Sequence, residues 1–116
     1  METPDTLLLR FGQWVVHTQE VLTAIEVVLA KVAGAESALR GYISSGDARV
    51  LEPLDRAERT IDTDLSRLAA LTVDNPNQQA YLPQLRQGVT RALAALRARA
   101  ESKRRAVEFG HAVLHL

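Results

Sequence analysis

The sequence predicts an all-α fold, an elongated antiparallel helical bundle to which this chain contributes three long helices. Apolar residues recur at spacings of three and four over long stretches, which is the spacing of one helix face. Only 6 glycines and 4 prolines divide the 116 residues. No convincing strand-like alternation of apolar and polar residues interrupts these stretches. We therefore expect long helices, joined by two turns and packed side by side.

The first helix is predicted over about residues 5–43. Its main stripe consists of residues at helical spacing: Thr18, Leu22, Ile25, Leu29, Val32, Glu36, Leu39 and Ile43. The segment Ser44–Gly46 ends the helix, because serine and glycine favour turns. A helix of roughly 38 residues is about 57 Å long, which is typical of a long bundle or a coiled coil.

A glutamate, Glu36, occupies one position of this otherwise apolar stripe. A buried carboxylate needs a partner, and Arg40 lies one helical turn further along. We expect a buried ion pair that either fixes one arrangement of the helices or shifts when a ligand binds. Tyr42 has the same two alternatives, a core ring with its hydroxyl satisfied or the wall of a pocket.

The second helix is predicted over about residues 48–72, and Asp47 can cap its start. Because the ring of Pro53 does not fit a helix interior, we expect either a short turn over 47–52 followed by a regular helix, or one helix kinked at Pro53. The apolar residues then follow helical spacing: Leu54, Ala57, Ile61, Leu65, Leu68 and Leu71.

The third helix is predicted over about residues 76–109, since Asn75 can cap a helix whose first residue is Pro76. Its apolar stripe is Leu82, Leu85, Val89, Ala92, Leu96, Ala100 and Val107. Pro83 is expected to bend or interrupt the first turns, and Gly110 to fray the end.

The start of the third helix is also a candidate binding site. Asn75 and Gln79 are explained by capping and by the first helical turn, but a helix start can hold a small anion as well. Tyr81 is near enough to join such a site. The candidate ligand or switch residues are therefore Glu36, Arg40, Tyr42, Asn75, Gln79 and Tyr81.

The helix lengths leave apolar surface uncovered. A second helix of about 30–38 Å is too short to cover the first. The early part of helix one, with Leu8, Phe11, Trp14 and Val15, should project past the turn near Asp74, and late helix three past Ser45. Uncovered apolar surface usually marks an interface. We expect a missing fourth helix or a partner chain to complete a four-helix-type bundle.

The charge pattern argues against nucleic-acid binding. The formal net charge is zero, although residues 1–72 hold 11 acidic and 7 basic side chains and residues 73–116 hold 3 acidic and 7 basic. This distribution predicts a basic last helix lying against more acidic earlier helices. No reading helix or set of stacking aromatic residues accompanies the basic run Lys103–Arg105.

No catalytic or metal-binding set is recognisable. The chain has no cysteine, which excludes disulfides and thiolate metal sites. Glu108 and His111 form a single Glu-x-x-His motif, and His115 follows four residues later, whereas a di-metal bundle needs two such motifs and further glutamates. We expect no catalytic residues, no metal and no cofactor. No apolar run approaches the length that spans a bilayer, and the acidic start METPDT does not resemble a signal peptide.

Several short motifs follow one another along the chain: His17-Thr18 with Val21-Leu22, Ala35-Glu36-Ser37, Arg40-Gly41-Tyr42 with Gly46, Leu51-Glu52-Pro53, and Leu71-Thr72 with Asp74-Asn75-Pro76 and Gln78-Gln79. Together they resemble the third class of CHASE domains, which sense signals outside the membrane in bacterial receptors. They occur in the family's order and spacing over roughly residues 14–105. The chain departs from the family at Gly34, Ala38 and Pro83.

The resemblance implies a sensory domain on the periplasmic or extracellular face of the bacterial inner membrane. The membrane-anchored parent is expected to be a two-component sensor histidine kinase, with a chemoreceptor or a diguanylate cyclase as alternatives. Since the family continues past the position of Leu116 into a helix that returns to the membrane, we expect an excised piece of a longer protein. The expected partners are an unknown small-molecule ligand and a second copy in a homodimer. The alternative is a structural dimerisation bundle without a ligand.

Overall fold

The computed structural model describes residues 3–115, which are almost entirely helical. Three α-helices and one short 3₁₀ helix follow one another: α1 (Pro4–Ser45), the 3₁₀ helix (Ala48–Leu51), α2 (Glu52–Leu71) and α3 (Pro76–Leu114). Residues 3–115 contain no strand. The prediction of an all-α fold is confirmed.

The ends of α1 follow from local chemistry. The hydroxyl of Thr3 accepts a hydrogen bond from the backbone N–H of Thr6 at 3.2 Å, and Pro4 takes the first helical position. At the other end Gly46 adopts a left-handed conformation, with φ at 68°. Its backbone N–H donates to the carbonyl of Tyr42 at 2.7 Å. Glycine suits this position because the left-handed region strains residues that carry a Cβ.

The next two helices also begin where their sequences predict. The carboxylate of Asp47 accepts from the N–H of Arg49 at 3.0 Å and caps the 3₁₀ helix. Pro53 lies in the first turn of α2, where its missing N–H is not needed. Of the two alternatives at Pro53, a short turn followed by a regular helix is therefore correct. Asn75 caps α3 by accepting from the N–H of Gln78 at 3.1 Å.

The third helix is longer and more continuous than expected. It runs through Pro83, so an interruption there is wrong, and it continues past Gly110 to Leu114, so the expected fraying at Gly110 is wrong as well. Pro83 removes the donor that would bond the carbonyl of Gln79, but Pro83 is exposed, so water can reach this edge of the helix. Because the helix is continuous on both sides of Pro83, one missing hydrogen bond does not end it.

The helices run up, down and up along a rod of 85 × 22 × 16 Å. Leu68, near the end of α2, packs with Val21 and Ala24 of α1. Val107 of α3 lies beside Gly46 at the end of α1, so α2 is antiparallel to both neighbours. The radius of gyration is 20.8 Å, whereas a compact domain of this length would have about 13 Å. The elongated antiparallel arrangement is confirmed.

The core lies in the middle of the rod. The predicted stripe of α2 is buried from its first residue to Leu68: Leu54, Ala57, Ile61, Leu65 and Leu68. In α3 the buried residues are Val89, Leu93, Leu96 and Ala100. Leu93 was missed by the sequence pattern, which placed Ala92 in the core instead; Ala92 is half-buried.

The first helix buries a different face from the predicted one. Its buried residues are Val21, Ala24, Val28, Ala35, Ala38, Leu39 and Tyr42. Of the predicted stripe, Leu39 is buried, but Leu22, Leu29 and Ile43 are exposed. The observed row is shifted by one residue, which rotates the face by about 100° around the helix axis. Because α1 carries apolar or small residues on two neighbouring rows, spacing alone does not choose between them.

Each end of the rod consists of a single helix. All of residues 3–16 are exposed, including the large apolar side chains Leu7, Leu8, Leu9, Phe11 and Trp14. At the other end, no residue from 101 to 115 is fully buried, and Phe109 is exposed. These two overhangs lie where the helix lengths predict uncovered apolar surface.

Charged contacts join α3 to α2. Arg97 pairs with Asp55 at 2.5 Å and with Glu58, and Arg86 pairs with Asp62 at 2.9 Å. The hydrogen bonds that Arg97 donates to Glu58, with a smaller effect of the one to Asp55, raise the pKa of Arg97 further above its usual range. Basic residues of the last helix thus contact acidic residues of the second, as the charge distribution predicts.

A further ion pair joins α1 to α2. The ammonium group of Lys31 pairs with the carboxylate of Asp64 and donates to the hydroxyl of Thr60 at 2.8 Å. The side chains of Lys31 and Asp64 are 27% and 17% exposed. This polar contact therefore lies inside the α1–α2 seam, where its partners are largely shielded from water.

Candidate functional site

The predicted site residues fall into two groups at different levels of the rod. One group, in the last third of α1, is Glu36, Arg40 and Tyr42. The other, around the α2–α3 turn, is Asn75, Gln79 and Tyr81. The turn lies beside the part of α1 near Val21. About 18 residues of helix, or roughly 27 Å, therefore separate the two groups, which is too far for one small-molecule site.

The expected buried pair of Glu36 and Arg40 is wrong. Both residues are exposed, and within residues 3–115 they do not pair with each other. The cause is the rotation of α1 described above, which places the predicted stripe at the edge of the core. Tyr42, by contrast, is buried in the central core cluster with Leu39 and Leu54. Of the two alternatives given for Tyr42, a core ring or the wall of a pocket, its surroundings match the core ring.

Gln79 holds the α2–α3 turn together. Its side-chain amide donates to the hydroxyl of Thr72 at 2.8 Å and to the carbonyl of Ala69 at 3.0 Å. Thr72 is only 2% exposed and donates in turn to the carbonyl of Leu68 at 2.9 Å. The backbone N–H of Thr72 also donates to the carbonyls of Leu68 and Ala69, so these side-chain contacts add second hydrogen bonds at the end of α2. The amide of Gln79 is thus engaged in the turn itself.

A cleft opens between the turn and the first half of α1, and we call it the turn cleft. It consists of two adjoining cavities of about 290 Å³ and 360 Å³, which share Val21, Ile25 and Gln78. Its floor is aliphatic and formed by Val21, Ile25, Leu68, Leu82 and Leu85. Its rim carries Trp14, His17, Asp74, Asn75, Gln78 and Tyr81. All three helices contribute to it.

The turn cleft combines apolar and polar surface in a way suited to an amphipathic molecule. The aliphatic floor can bury a hydrocarbon or a ring. Trp14 and Tyr81 add two exposed aromatic rings from opposite helices. The side chains of His17, Asp74 and Gln78 supply hydrogen-bond donors and acceptors at the rim.

Sequence reasoning found part of this cleft. Of the second predicted group, Asn75 and Tyr81 line it, whereas Gln79 lines an adjoining depression instead. Trp14 and His17 were not predicted as site residues. Their spacing of three places them on one face of α1, which is the signal that was present. The helix lengths placed this part of α1 near the turn at Asp74, but they could not show which of its faces would lie beside the turn.

The other depressions are less suited to binding. The largest, about 560 Å³, is lined only by α1 residues of the overhang, such as Leu8 and Val16, and so is a groove along one helix. Another, of about 410 Å³, lies between α1 and the charged side chains Asp64 and Arg67 of α2. The turn cleft differs from the first in being enclosed by several elements. It differs from the second in its aromatic rings and in the contribution of α3.

Residues 3–115 contain no group of three histidine or carboxylate side chains placed to hold a metal ion. None of the helices in this range combines the length and hydropathy required to cross a membrane.

Comparison with known proteins identifies the family. The family model described as the CHASE3 domain matches residues 11–113, which is most of the chain and includes the turn cleft. No curated protein and no solved structure matches the chain. CHASE3 domains are extracytoplasmic, non-catalytic sensory domains found in sensor kinases and similar receptors. With its helical rod and a matched region that extends over all three helices, the chain belongs to the CHASE3 domain family.

Proposed function

We propose that this chain senses a small molecule for a bacterial two-component sensor histidine kinase that is anchored in the inner membrane. The chain would lie on the periplasmic or extracellular face. Membership of the CHASE3 family supports the sensory role. The structural observation that supports a small-molecule signal is the turn cleft, which joins α1 to the α2–α3 turn.

The proposed ligand has an apolar or aromatic body and a hydrogen-bonding edge. The floor around Ile25 and Leu68 matches the body, and the rings of Trp14 and Tyr81 can pack against it from two sides. Gln78 and Asp74 lie where they can bond the polar edge. The carboxylate of Asp74 disfavours a strongly anionic ligand, because like charges would meet at the rim.

The proposed mechanism is a shift between two arrangements of the helices. A ligand changes the equilibrium only if it binds one arrangement better than the other. Because the turn cleft has α1 on one side and the α2–α3 turn on the other, a ligand between them would favour one relative position. Displacements of about 1–2 Å between helices are a common form of such switching. The long α1 is suited to carry the displacement along the rod.

The test is a thermal-shift screen of the chain against small aromatic metabolites, with organic acids as the class that Asp74 should disfavour. A ligand present at 100 times its dissociation constant should stabilise the folded chain by about 2.7 kcal/mol. In a domain of this size, this corresponds to a rise in Tm of roughly 8–16 °C. A flat screen would argue against the ligand and favour the structural alternative.

Matched variants locate the binding site. Trp14→Ala and Tyr81→Ala change exposed rings of the turn cleft and should abolish the shift that a stabilising compound produces in the wild type. Phe109→Ala changes an exposed ring at the other end of the rod and should leave the shift intact. Loss of the shift in Phe109→Ala alone would place the site elsewhere.

Glu36 and Arg40 remain proposed switch residues, although as exposed ones. Their replacement by alanine in the full receptor should change its basal output if a moving helix contacts them. Unchanged output and unchanged ligand response would remove both from the mechanism.

The second candidate function is a structural dimerisation module without a ligand. The overhang of α1, where Leu8, Leu9 and Phe11 are exposed, favours it. Both functions include a homodimer, so the thermal-shift screen separates them.

A further inference from the structure

The charges around the turn cleft are of one sign. Within residues 3–115, the lining of the cleft contains no lysine or arginine, and Asp74 is its one acidic side chain. Arg67 and Arg86, the sequence neighbours of two lining leucines, line other depressions instead. With His17 neutral, the charge that the rim presents to a ligand is therefore negative.

The carboxylate of Asp74 is unpaired, which distinguishes it from the acidic residues of the preceding helix. Every acidic residue of α2 forms an ion pair with a lysine or an arginine: Glu52, Asp55, Glu58, Asp62 and Asp64. Within residues 3–115, the side chains of Asp74 and Gln78 have no hydrogen-bond or ion-pair partner. Both are exposed at the edge of the aliphatic floor. They can accept hydrogen bonds from a ligand without first breaking a contact inside the protein.

The start of α3 has little capacity left for an anion. A helix N-terminus attracts anions through its free backbone N–H groups. Here Pro76 has no N–H group, and the N–H of Gln78 donates to the side chain of Asn75 at 3.1 Å. The N–H of Asn75 itself donates to the carbonyl of Thr72 at 2.9 Å. Most of the donors that would hold an anion are thus already used.

Two aromatic rings add to the attraction for a cation. Trp14 of α1 and Tyr81 of α3 are exposed and border the cleft from opposite helices. The ring of Trp14 packs against that of Phe11, with centroids 6.1 Å apart and planes inclined by 31°. The faces of aromatic rings attract cations, and tryptophan does so most strongly. Rings and carboxylate therefore favour a ligand of the same charge.

We propose that the ligand of the turn cleft is an organic cation, namely a protonated primary amine on an aromatic or branched hydrocarbon body. The inference rests on the proposed ligand-sensing function and names the chemical class of the ligand. The ammonium group has three donors, which bond the carboxylate of Asp74 and the amide oxygen of Gln78. The hydrocarbon body lies on the floor around Ile25 and Leu68. Cavities of about 290 Å³ and 360 Å³ are at the small end of ligand pockets, so the amine is compact.

A series of compounds that differ only in their polar end tests the charge. Phenethylamine, phenethyl alcohol and hydrocinnamate share a phenyl ring on a two-carbon chain and end in an ammonium, a hydroxyl and a carboxylate group. Isothermal titration calorimetry of the whole chain at neutral pH measures each dissociation constant. Phenethylamine should bind about tenfold or more tightly than phenethyl alcohol, because charge-assisted hydrogen bonds exceed neutral ones. Hydrocinnamate should bind most weakly.

Variants assign the effect to the rim. Asp74→Asn keeps the shape of the side chain but removes its charge, so the dissociation constant of phenethylamine should rise about tenfold or more, and that of phenethyl alcohol should change less than about twofold. Trp14→Leu keeps an apolar side chain without the ring and should weaken phenethylamine about twofold to fivefold more than phenethyl alcohol. Glu108→Gln is the control, since it removes an exposed carboxylate at the other end of the rod, and it should leave both constants unchanged.

Equal affinity of the chain for phenethylamine and phenethyl alcohol would overturn the inference. So would tighter binding of hydrocinnamate, or an Asp74→Asn variant that binds the amine as the wild type does. These outcomes are separable from those of the sensory proposal. If none of the series binds but the thermal-shift screen finds a stabiliser that Trp14→Ala no longer binds, ligand sensing stands and the cation is wrong. A flat screen that includes amines removes both.

Discussion

Replacement of Lys31 by methionine tests how firmly α1 is held against α2. Methionine keeps most of the length of the side chain but removes the ammonium group that bonds Asp64 and Thr60. The carboxylate of Asp64 then remains in the seam without its cation. Thr60 loses one of its two hydrogen bonds, because its hydroxyl still donates to the carbonyl of Arg56 at 2.9 Å.

The expected magnitude follows from the burial of the pair. Breaking a fully buried ion pair costs about 3–5 kcal/mol, and an exposed pair contributes about 0.2–1 kcal/mol. Lys31 and Asp64 are 27% and 17% exposed, which places them between these limits. We expect Lys31→Met to lower the free energy of unfolding by about 1.5–2.5 kcal/mol.

The assay is urea denaturation followed by circular dichroism at neutral pH. Arg86→Met is the matched control, because Arg86 and Asp62 form a 2.9 Å pair whose side chains are 46% and 83% exposed. Arg86→Met should lower the free energy of unfolding by no more than about 0.5 kcal/mol. If the two variants lose the same stability, the seam does not shield the Lys31 contact and the reasoning from burial is refuted.

Three further predictions concern the turns and the core. Gln79→Ala removes two hydrogen bonds of the α2–α3 turn and should lower the free energy of unfolding by about 1–2 kcal/mol. Gln84→Ala, at an exposed position of α3, is the control and should change it little. Equal losses in the two variants would contradict the role assigned to Gln79. Hydrogen bonds from Arg49 lower the pKa of Asp47 below its usual 3.8, so this contact stabilises the fold above pH 3.8 and is lost as the pH falls through the lowered value. Asp47→Asn should therefore show a weaker fall in stability with acid, and an unaltered acid titration would count against the contact. Leu54→Ala, at a fully buried position, should lower the free energy of unfolding by about 2–5 kcal/mol in the same urea assay.

The second and third helices could be predicted from sequence because each has one clear apolar face. In α2, charged residues such as Arg56 and Arg59 fill the side opposite Leu54 and Leu65, so only one side can face the core. The start of α3 was equally clear, because Asn75 before a proline leaves few alternatives to a helix N-terminus.

The buried face of α1 could not be predicted in the same way. Val21 and Leu22, or Val28 and Leu29, are neighbours of similar hydropathy, and α1 has no row of charges to exclude one of them. The wrong row made Glu36 look buried. The alanine-rich row at Ala24, Ala35 and Ala38 was overlooked, although small side chains are what allow α2 to approach.

The turn cleft depends on tertiary structure and was therefore only partly predictable. Asn75 and Tyr81 were found because a helix start has a local signature. Trp14 and His17 are more than 50 residues away in sequence, and their approach to the turn depends on how α1 packs against α2. Long-range contacts of this kind leave no mark in local spacing.

The 85 Å rod has a hydrodynamic consequence for any measurement of assembly. With a radius of gyration of 20.8 Å, a monomer will elute from a gel-filtration column ahead of spherical standards of the same 12.8 kDa mass. Side-by-side pairing of two rods would thicken the particle with little gain in length, so the retention volume would change less than the doubled mass suggests. Light scattering, which reports mass independently of shape, would separate one rod from two where retention volume would not.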